Sequence, residues 1–383
     1  MTATDVQHVY VRRLLVDAQP APLTMTGPIG WLRANLFSSP LNAALTILSI
    51  LLIAWIVPPF VRFLVIDATW VGVDREACLA SDARPVAGAC WPFVRERFAY
   101  FIYGSYPIAQ RWRVDIFFAL LAVGVVWLLW LKAPRRDLGT IYSFIVLPIV
   151  SFILLRGWPL LGLPTVESDY WGGALVTIVV AAVGIAVSLP IGILLALGRR
   201  SRMPAVKLFS VIYIEFVRGV PLITVLFMAS VMLPLFVPDA WSPAKMLRAL
   251  VGIAMFASAY MAEVVRAGLQ AIPKGQYEGA MAVGLSYRQM MRLVILPQAL
   301  KITIPNIVNT YIGLFKDTTL VSIVGMFDLL RTIESARIDP KWATPVTSAT
   351  GYVFAAIFYF TFCYMMARYA RYTEARLAKS DRR

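Results

Sequence analysis

Charge is scarce in this chain: Asp, Glu, Lys and Arg make up 15% of its 383 residues, against 60% hydrophobic residues. Soluble domains carry roughly a quarter charged residues. A water-surrounded globule is therefore excluded, and the bilayer is the expected solvent. Histidine is nearly absent, with His8 alone, and the three cysteines form no CxxC pair. The usual zinc and redox-metal ligand sets are thereby excluded. No GxxxxGK[ST] stretch is present, so the chain has no phosphate-cradling loop of that kind. GxSxG and HExxH are missing too, which removes the common grounds for reading an intramembrane enzyme. The first forty residues lack a compact apolar core ending in a small-residue cleavage site. The first apolar run is accordingly expected to remain as an anchor.

Basic residues are in surplus, with a formal net charge of +15. Nucleic acid is not the expected partner, because Lys and Arg sit in short clusters beside apolar runs, as membrane topology demands. An arm over residues 1–40, with Arg12, Arg13, Arg33, Pro20, Pro22 and Pro28, reads as loosely structured. Eight apolar runs follow, near residues 41–66, 114–131, 138–155, 171–198, 208–237, 246–262, 302–327 and 351–367. The fold expected is an all-α integral membrane protein of about eight transmembrane helices. Pro58 and Pro59 shorten or kink the first run, and Gly219, Val220 and Pro221 interrupt the fifth.

Eight crossings with the N-terminus inside put every dense basic cluster on the cytoplasmic side: the arm, 132–137, 199–207, 263–301 and a tail over 373–383. An odd number would strand the arm or the tail on the wrong face. A large loop over 67–113 then lies outside, and with it Cys78 and Cys90. In an oxidising compartment these two are expected to pair, the alternative being two free thiols. Cys363 reads as a packing residue of the last span.

Between two apolar runs lies a polar, basic, helix-prone stretch, "KGQYEGAMAVGLSYRQMMRLVILPQAL" from Lys274 to Leu300. Pro273 marks a boundary, a short helix follows, and Gly284 is placed to end it. Ser286 and Gln289 match the S-x-x-Q capping box of a second helix running to Pro297. Small residues at Gly279, Ala280 and Ala282 allow a partner surface to come close, with Glu278 available to bond to it. The competing reading is an amphipathic loop at the lipid headgroups, with Lys274, Arg288, Arg292 and Lys301 on anionic lipid. Chemistry alone leaves the two open.

This stretch resembles the EAA loop of binding-protein-dependent ABC importer permeases. Glu278, Gly279 and Ala280 stand at the triplet, Gly284 follows four residues later, and Ile295, Leu296 and Pro297 close it. The middle alanine is Gly279 here, which keeps the position small. "EFVRGVPLITVLF", "YMAEVVRAGLQAIPKGQYEGAMAVGLS", "LPQALKITIPNIVN" and "LFKDTTLVSIVG" are similar to the polar amino acid branch of that family. The likeness covers residues 171–372 as a five-helix type I importer core. The extension over 41–170, with three further spans, resembles the larger permease subunit of general L-amino acid transporters.

The resemblance implies a subunit of the bacterial inner membrane, with both termini cytoplasmic, that imports amino acids. It implies three protein partners: a cytoplasmic ATPase dimer, a second permease that is a related but different chain, and a periplasmic amino acid-binding protein. ATP and Mg would be used by the ATPase, with no cofactor on this chain. Coupling would rest on Gly275, Glu278, Gly279, Ala280, Gly284 and Pro297 in a loop over 263–301. An ATP-independent channel or carrier is the rival reading, and it would not need such a loop.

Ionisable residues inside spans face a cavity or a partner. Glu215 and Arg218, three apart in span five, read as a pair with each other. Lys316, Asp317 and Thr318 interrupt span seven, and Asn306 and Asn309 precede them. These seven polar residues are candidates for the pathway of a zwitterionic substrate or, alternatively, structural ion pairs at helix ends and interfaces. Glu263 and Arg266 read as an intrahelical pair that orients the loop.

Overall fold

The computed structural model describes residues 27–82, 85–130, 132–238 and 243–380. His8, Arg12 and Arg13 of the arm, Leu131 at the end of span two, most of the connection 238–245, and Arg382 and Arg383 of the tail lie outside them. Among the described residues, seven helices are long and apolar enough to cross a membrane, and a bent pair makes up to eight. Contacts divide the chain into two compact units, Met1–Asp67 and Ala68–Arg383.

Among its described residues, the first unit holds two helices. Residues read as part of a loose arm form α1 (Gly27–Asn35), with Pro28 in the first turn, where a missing N–H costs nothing. The membrane-length α2 (Pro40–Ile66) starts from Ser39, whose hydroxyl accepts from the Asn42 N–H. Pro58 and Pro59 stay inside this helix, and its last turn, Arg62–Ile66, widens to π geometry beyond them.

In the second unit, the loop expected over 67–113 is structured. Its centre is α3 (Trp91–Tyr103), and Cys78 and Cys90 are joined by a disulfide with Cα atoms 5.5 Å apart. Two apolar helices, α4 (Trp112–Leu129) and α5 (Arg136–Arg156), complete the extension. The family resemblance begins near residue 171, but packing does not break there. Val114, Phe117 and Leu155 share one core with Leu175, Val180, Ile253 and Leu314. Fully buried Arg113 donates to the Pro164 carbonyl at 2.9 Å and pins the connection into that core.

A two-residue parallel ladder, β1 (Gly172–Gly173) with β2 (Phe327–Asp328), ties the start of the family region to the far end of span seven. From β1 runs α6 (Ala174–Arg199), which packs along α9 (Lys245–Ala271). Their approach is close because a Cβ at Gly192 would stand 2.8 Å from the Met261 side chain. Small residues set such separations where lipid supplies no hydrophobic drive between helices. Between them in sequence, α7 (Pro204–Gly219) and α8 (Leu222–Phe236) meet at 105°. The Gly-Val-Pro interruption is therefore a sharp break: Val220 and Pro221 are extended, and Pro221 lacks the N–H that would continue the helix.

Two sequence boundaries move. Span six, read as ending at 262, continues to Ala271. The helix expected to stop at Pro297 instead opens α11 (Tyr287–Val324), one continuous helical segment of 38 residues. A π turn over Met291–Ile295 precedes Pro297 and absorbs the ring, so the proline marks a bulge, not an end. The helix-turn-helix read over the polar stretch is thus one short helix and the first turns of a span. After β2, the short α12 (Leu329–Ala336) buries Leu329 and Ile333 against α3 and Trp342. The last helix, α13 (Pro345–Ser380), exceeds its expected length at both ends.

Candidate functional site: the exposed helix and the charge cluster beside it

The polar stretch places α10 (Lys274–Ala282) outside the bundle, between α9 and α11. One side is attached. Ala280 is buried, and Tyr277 packs against a cluster of Val265, Leu269, Ile295 and Ala299. The Tyr277 hydroxyl donates to the Leu269 carbonyl at 3.1 Å, and Gln298 Nε2 donates to Gln276 Oε1 at 3.1 Å. The other side is open. Gly275, Glu278, Gly279 and Gly284 are exposed, and a Cβ added at any of the three glycines would meet nothing within 4 Å. Glu278 forms no hydrogen bond or ion pair among the described residues.

Gly284 ends α10 at φ +81°. Its N–H bonds to the Met281 carbonyl at 2.9 Å, and the Leu285 N–H bonds to the Ala280 carbonyl at 3.2 Å. This is the Schellman pattern, which needs a left-handed residue where glycine sits. Two residues on, Ser286 and Gln289 exchange capping-box bonds and start α11. Pro297 lies within α11, well past the exposed face, and shapes the π turn.

Beside α10, the ends of α6 and α7 meet the flank of α9 in a cluster of charge. Glu215 and Arg218 do not pair with each other as their spacing suggests. Glu215 Oε1 accepts from Arg199 Nη1 at 2.8 Å, and Arg218 reaches Glu263 at 3.7 Å. Arg199 also donates to Glu263 Oε1 at 3.0 Å. Glu263 and Arg266 form the intrahelical pair at 2.7 Å. One carboxylate on α9, its side chain 15% exposed, thus serves guanidinium groups from α6, α7 and its own helix. Arg218 also lies 5.5 Å over the Tyr260 ring. Next to Arg199, Arg200 Nη1 donates to the Tyr277 hydroxyl at 3.1 Å and covers its ring at 5.6 Å. Arg199, Arg200 and Tyr277 were invisible as functional residues in the sequence, where two arginines after an apolar run count only as topology signals.

The remaining candidates lie along α11, away from this cluster. Asn306 and Asn309 are exposed on it. Lys316 is exposed beside a cavity of about 330 Å³ that it lines with Thr319, Leu330, Tyr352 and Tyr359. Asp317 is half-buried, and Thr318 is fully buried with its hydroxyl donating to the Phe315 carbonyl at 2.8 Å. Thr318 caps the turn that ends the regular helix.

An exposed short helix between two spans, closed by a Schellman glycine and tied by Tyr277 to its neighbours, sits in a multi-pass, all-helical membrane subunit. Residues 188–379 match the binding-protein-dependent transport system inner membrane component family. The chain is also 49% identical to the inner membrane amino-acid ABC transporter permease protein YhdY of Escherichia coli (strain K12), over 94% of this chain and 95% of that protein. It is 39% identical to the glutamate/glutamine/aspartate/asparagine transport system permease protein BztC of Rhodobacter capsulatus, over 97% and 99% of the two chains. A solved amino acid ABC transporter with histidines is 28% identical over 53% of this chain and 92% of that one, with a TM-score of 0.47. The chain belongs to the family of inner membrane components of binding-protein-dependent transport systems.

Proposed function

We propose that this chain is the pathway-forming permease subunit of an ATP-driven amino acid importer, and that α10 is its contact with a separate ATPase dimer. The open face of α10 carries the reading: Glu278, Gly279 and Gly284 stand clear of the chain's own side chains while Tyr277 anchors the opposite face. Amino acids as the substrate class are supported by the names of the relatives, which match almost end to end. ATP and Mg belong to the partner, since the sequence has no phosphate loop. The distribution of basic clusters supports cytoplasmic termini with α10 on the same side. The binding protein then meets the opposite face, where the disulfide, α3 and α12 lie. A second, related permease completes the pathway.

Closure of the ATPase dimer on ATP moves α10 as a rigid body and biases the bundle towards one of its two access states; hydrolysis resets it. A tagged chain purified from its native host brings down an ATPase, and Glu278→Arg loses that partner while inserting normally. An ATPase retained by Glu278→Arg at the unmodified level would overturn the assignment of α10.

A further inference from the structure

A movement of α10 is useful only if it reaches the helices that line the pathway, and a helix attached mainly through one buried alanine and one tyrosine has few routes for it. Energetic coupling between sites is carried by contiguous packed or bonded elements with alternative arrangements. One route is continuous in bonds. The Tyr277 hydroxyl is held by the Leu269 carbonyl and by Arg200. Arg200 also donates to Leu269 at 3.3 Å, so the three groups close a triangle at the last turn of α6. The adjacent residue, Arg199, divides one guanidinium nitrogen between Glu215 at 2.8 Å and Glu263 at 3.0 Å. Glu263 in turn holds Arg218 at 3.7 Å. Arg218 is the last side chain before Gly219, Val220 and Pro221, where the span breaks by 105°.

Resting on the reading of α10 as the ATPase contact, we infer that Arg199 and Arg200 are positioning residues: a two-arginine fulcrum that transmits displacement of α10 through Tyr277 to Glu263 and on to the break in span five. Arg200 receives the input and Arg199 delivers the output, because consecutive residues at a helix end point to different sides. Glu263 makes the relay switch-like. It has two oxygens for three guanidinium groups, so shifting the end of α6 exchanges one partner for another without leaving the carboxylate itself unpaired. Arg218 is bound least tightly, at 3.7 Å against 2.7 to 3.0 Å for the others, and is the partner freed first. Releasing it loosens the residue that fixes the orientation of α7 at its break. Simple helix-end glue would not need a link running through the exposed coupling helix.

The test uses the whole transporter, with its ATPase, second permease and binding protein, reconstituted in proteoliposomes, and reads ATP hydrolysed per amino acid imported. Tyr277→Phe keeps the ring and removes the hydroxyl, and Glu263→Gln keeps the shape and removes the charge. Each is expected to raise the ratio by about fivefold or more, the lower end of ordinary coupling energies. Because the two links act in series, the double variant is expected to be no worse than the worse single variant. Ratios within about twofold of the unmodified transporter for both single variants, or a double variant whose effect is the product of the two, would overturn the relay. An unmodified assembly that binds no ATPase and imports no amino acid would instead bring down the permease reading, and the relay with it.

Discussion

Lys341 places its ammonium group 2.8 Å from each carboxylate oxygen of Glu96, joining the connection before α13 to α3 across 245 residues. The neighbouring Arg97 also pairs with one carboxylate oxygen of Asp339, the Arg75 N–H bonds to the Lys341 carbonyl at 2.8 Å, and the Cys90 N–H bonds to the Thr350 hydroxyl at 2.9 Å. Residues 75–97 of the second unit therefore clasp the family region at the end opposite α10. Hydrogen bonding to Lys341 holds the Glu96 carboxyl below its ordinary value of 4.5. A depressed carboxyl stabilises the folded state fully above its unfolded value and loses that contribution as pH falls through the folded one. Thermal unfolding in detergent between pH 6 and pH 3 is expected to fall more steeply in the unmodified protein than in Lys341→Met, with the difference confined to below about pH 4.5. Parallel curves would mean that Glu96 is not held by Lys341.

The disulfide within the same lobe gives a chemical count. Of three cysteines, Cys78 and Cys90 are bonded and only Cys363 is free. Alkylation of denatured, unreduced protein is expected to add one group by intact mass, and alkylation after reduction three. Closing a loop this short contributes about 3 kcal/mol. Reductant should lower the unfolding midpoint accordingly, and Cys78→Ser/Cys90→Ser should show the lower midpoint without reductant.

Much of the architecture is legible in the sequence because hydropathy acts locally. Runs of apolar residues give the spans, and Ser286 with Gln289 gives the start of α11 three residues apart. Gly219 to Pro221 shows that span five breaks, though not through what angle. What stays hidden depends on partners distant in sequence. Glu215 has Arg218 three residues away, yet its bond goes to Arg199 on another helix. Pro297 reads as a stop because the π turn that accommodates it has no compositional signature. Trp91–Tyr103, with its Arg and Glu, reads as loop because its apolar residues are buried by α12 and Trp342, which the sequence places more than two hundred residues later.

Asp328 provides a second pH signal with the opposite sign. It is fully buried at the N-terminus of α12, where its carboxylate accepts from the Leu330 N–H at 3.0 Å and the Arg331 N–H at 3.1 Å. Burial outweighs these bonds and pushes the carboxyl up to about 6, with Glu334 of the same helix adding to the rise and Tyr359 of α13 opposing it. A raised carboxyl takes up a proton on folding between its unfolded and folded values, so its charge penalty is absent below about pH 4, grows to pH 6 and is complete above. The penalty amounts to about 3 kcal/mol, from roughly 1.4 kcal/mol per pH unit. Asp328→Asn keeps one capping acceptor and is expected to flatten the unfolding midpoint between pH 4 and pH 6. An unchanged slope in that window would show the carboxyl to be ordinary.

The glycines of α10 separate damage to this chain from damage to its contact with a partner. Gly279 has no neighbour within 4 Å of an added Cβ and an ordinary helical backbone, so Gly279→Leu should not lower thermal stability and, by helix propensity, should raise it by about 0.5–1 kcal/mol. On a face that receives an ATPase, the same leucine fills the space the partner needs, and co-purification of the ATPase should fall about tenfold or more. Gly284 is equally open but sits at φ +81°. Gly284→Ala strains the Schellman turn by about 1 kcal/mol and tilts α10 without adding bulk to its face. Its expected signature is the reverse: a measurable loss of stability, with ATPase binding reduced only several-fold. If Gly279→Leu destabilises the isolated subunit and leaves ATPase binding intact, the open face of α10 is not where the partner docks.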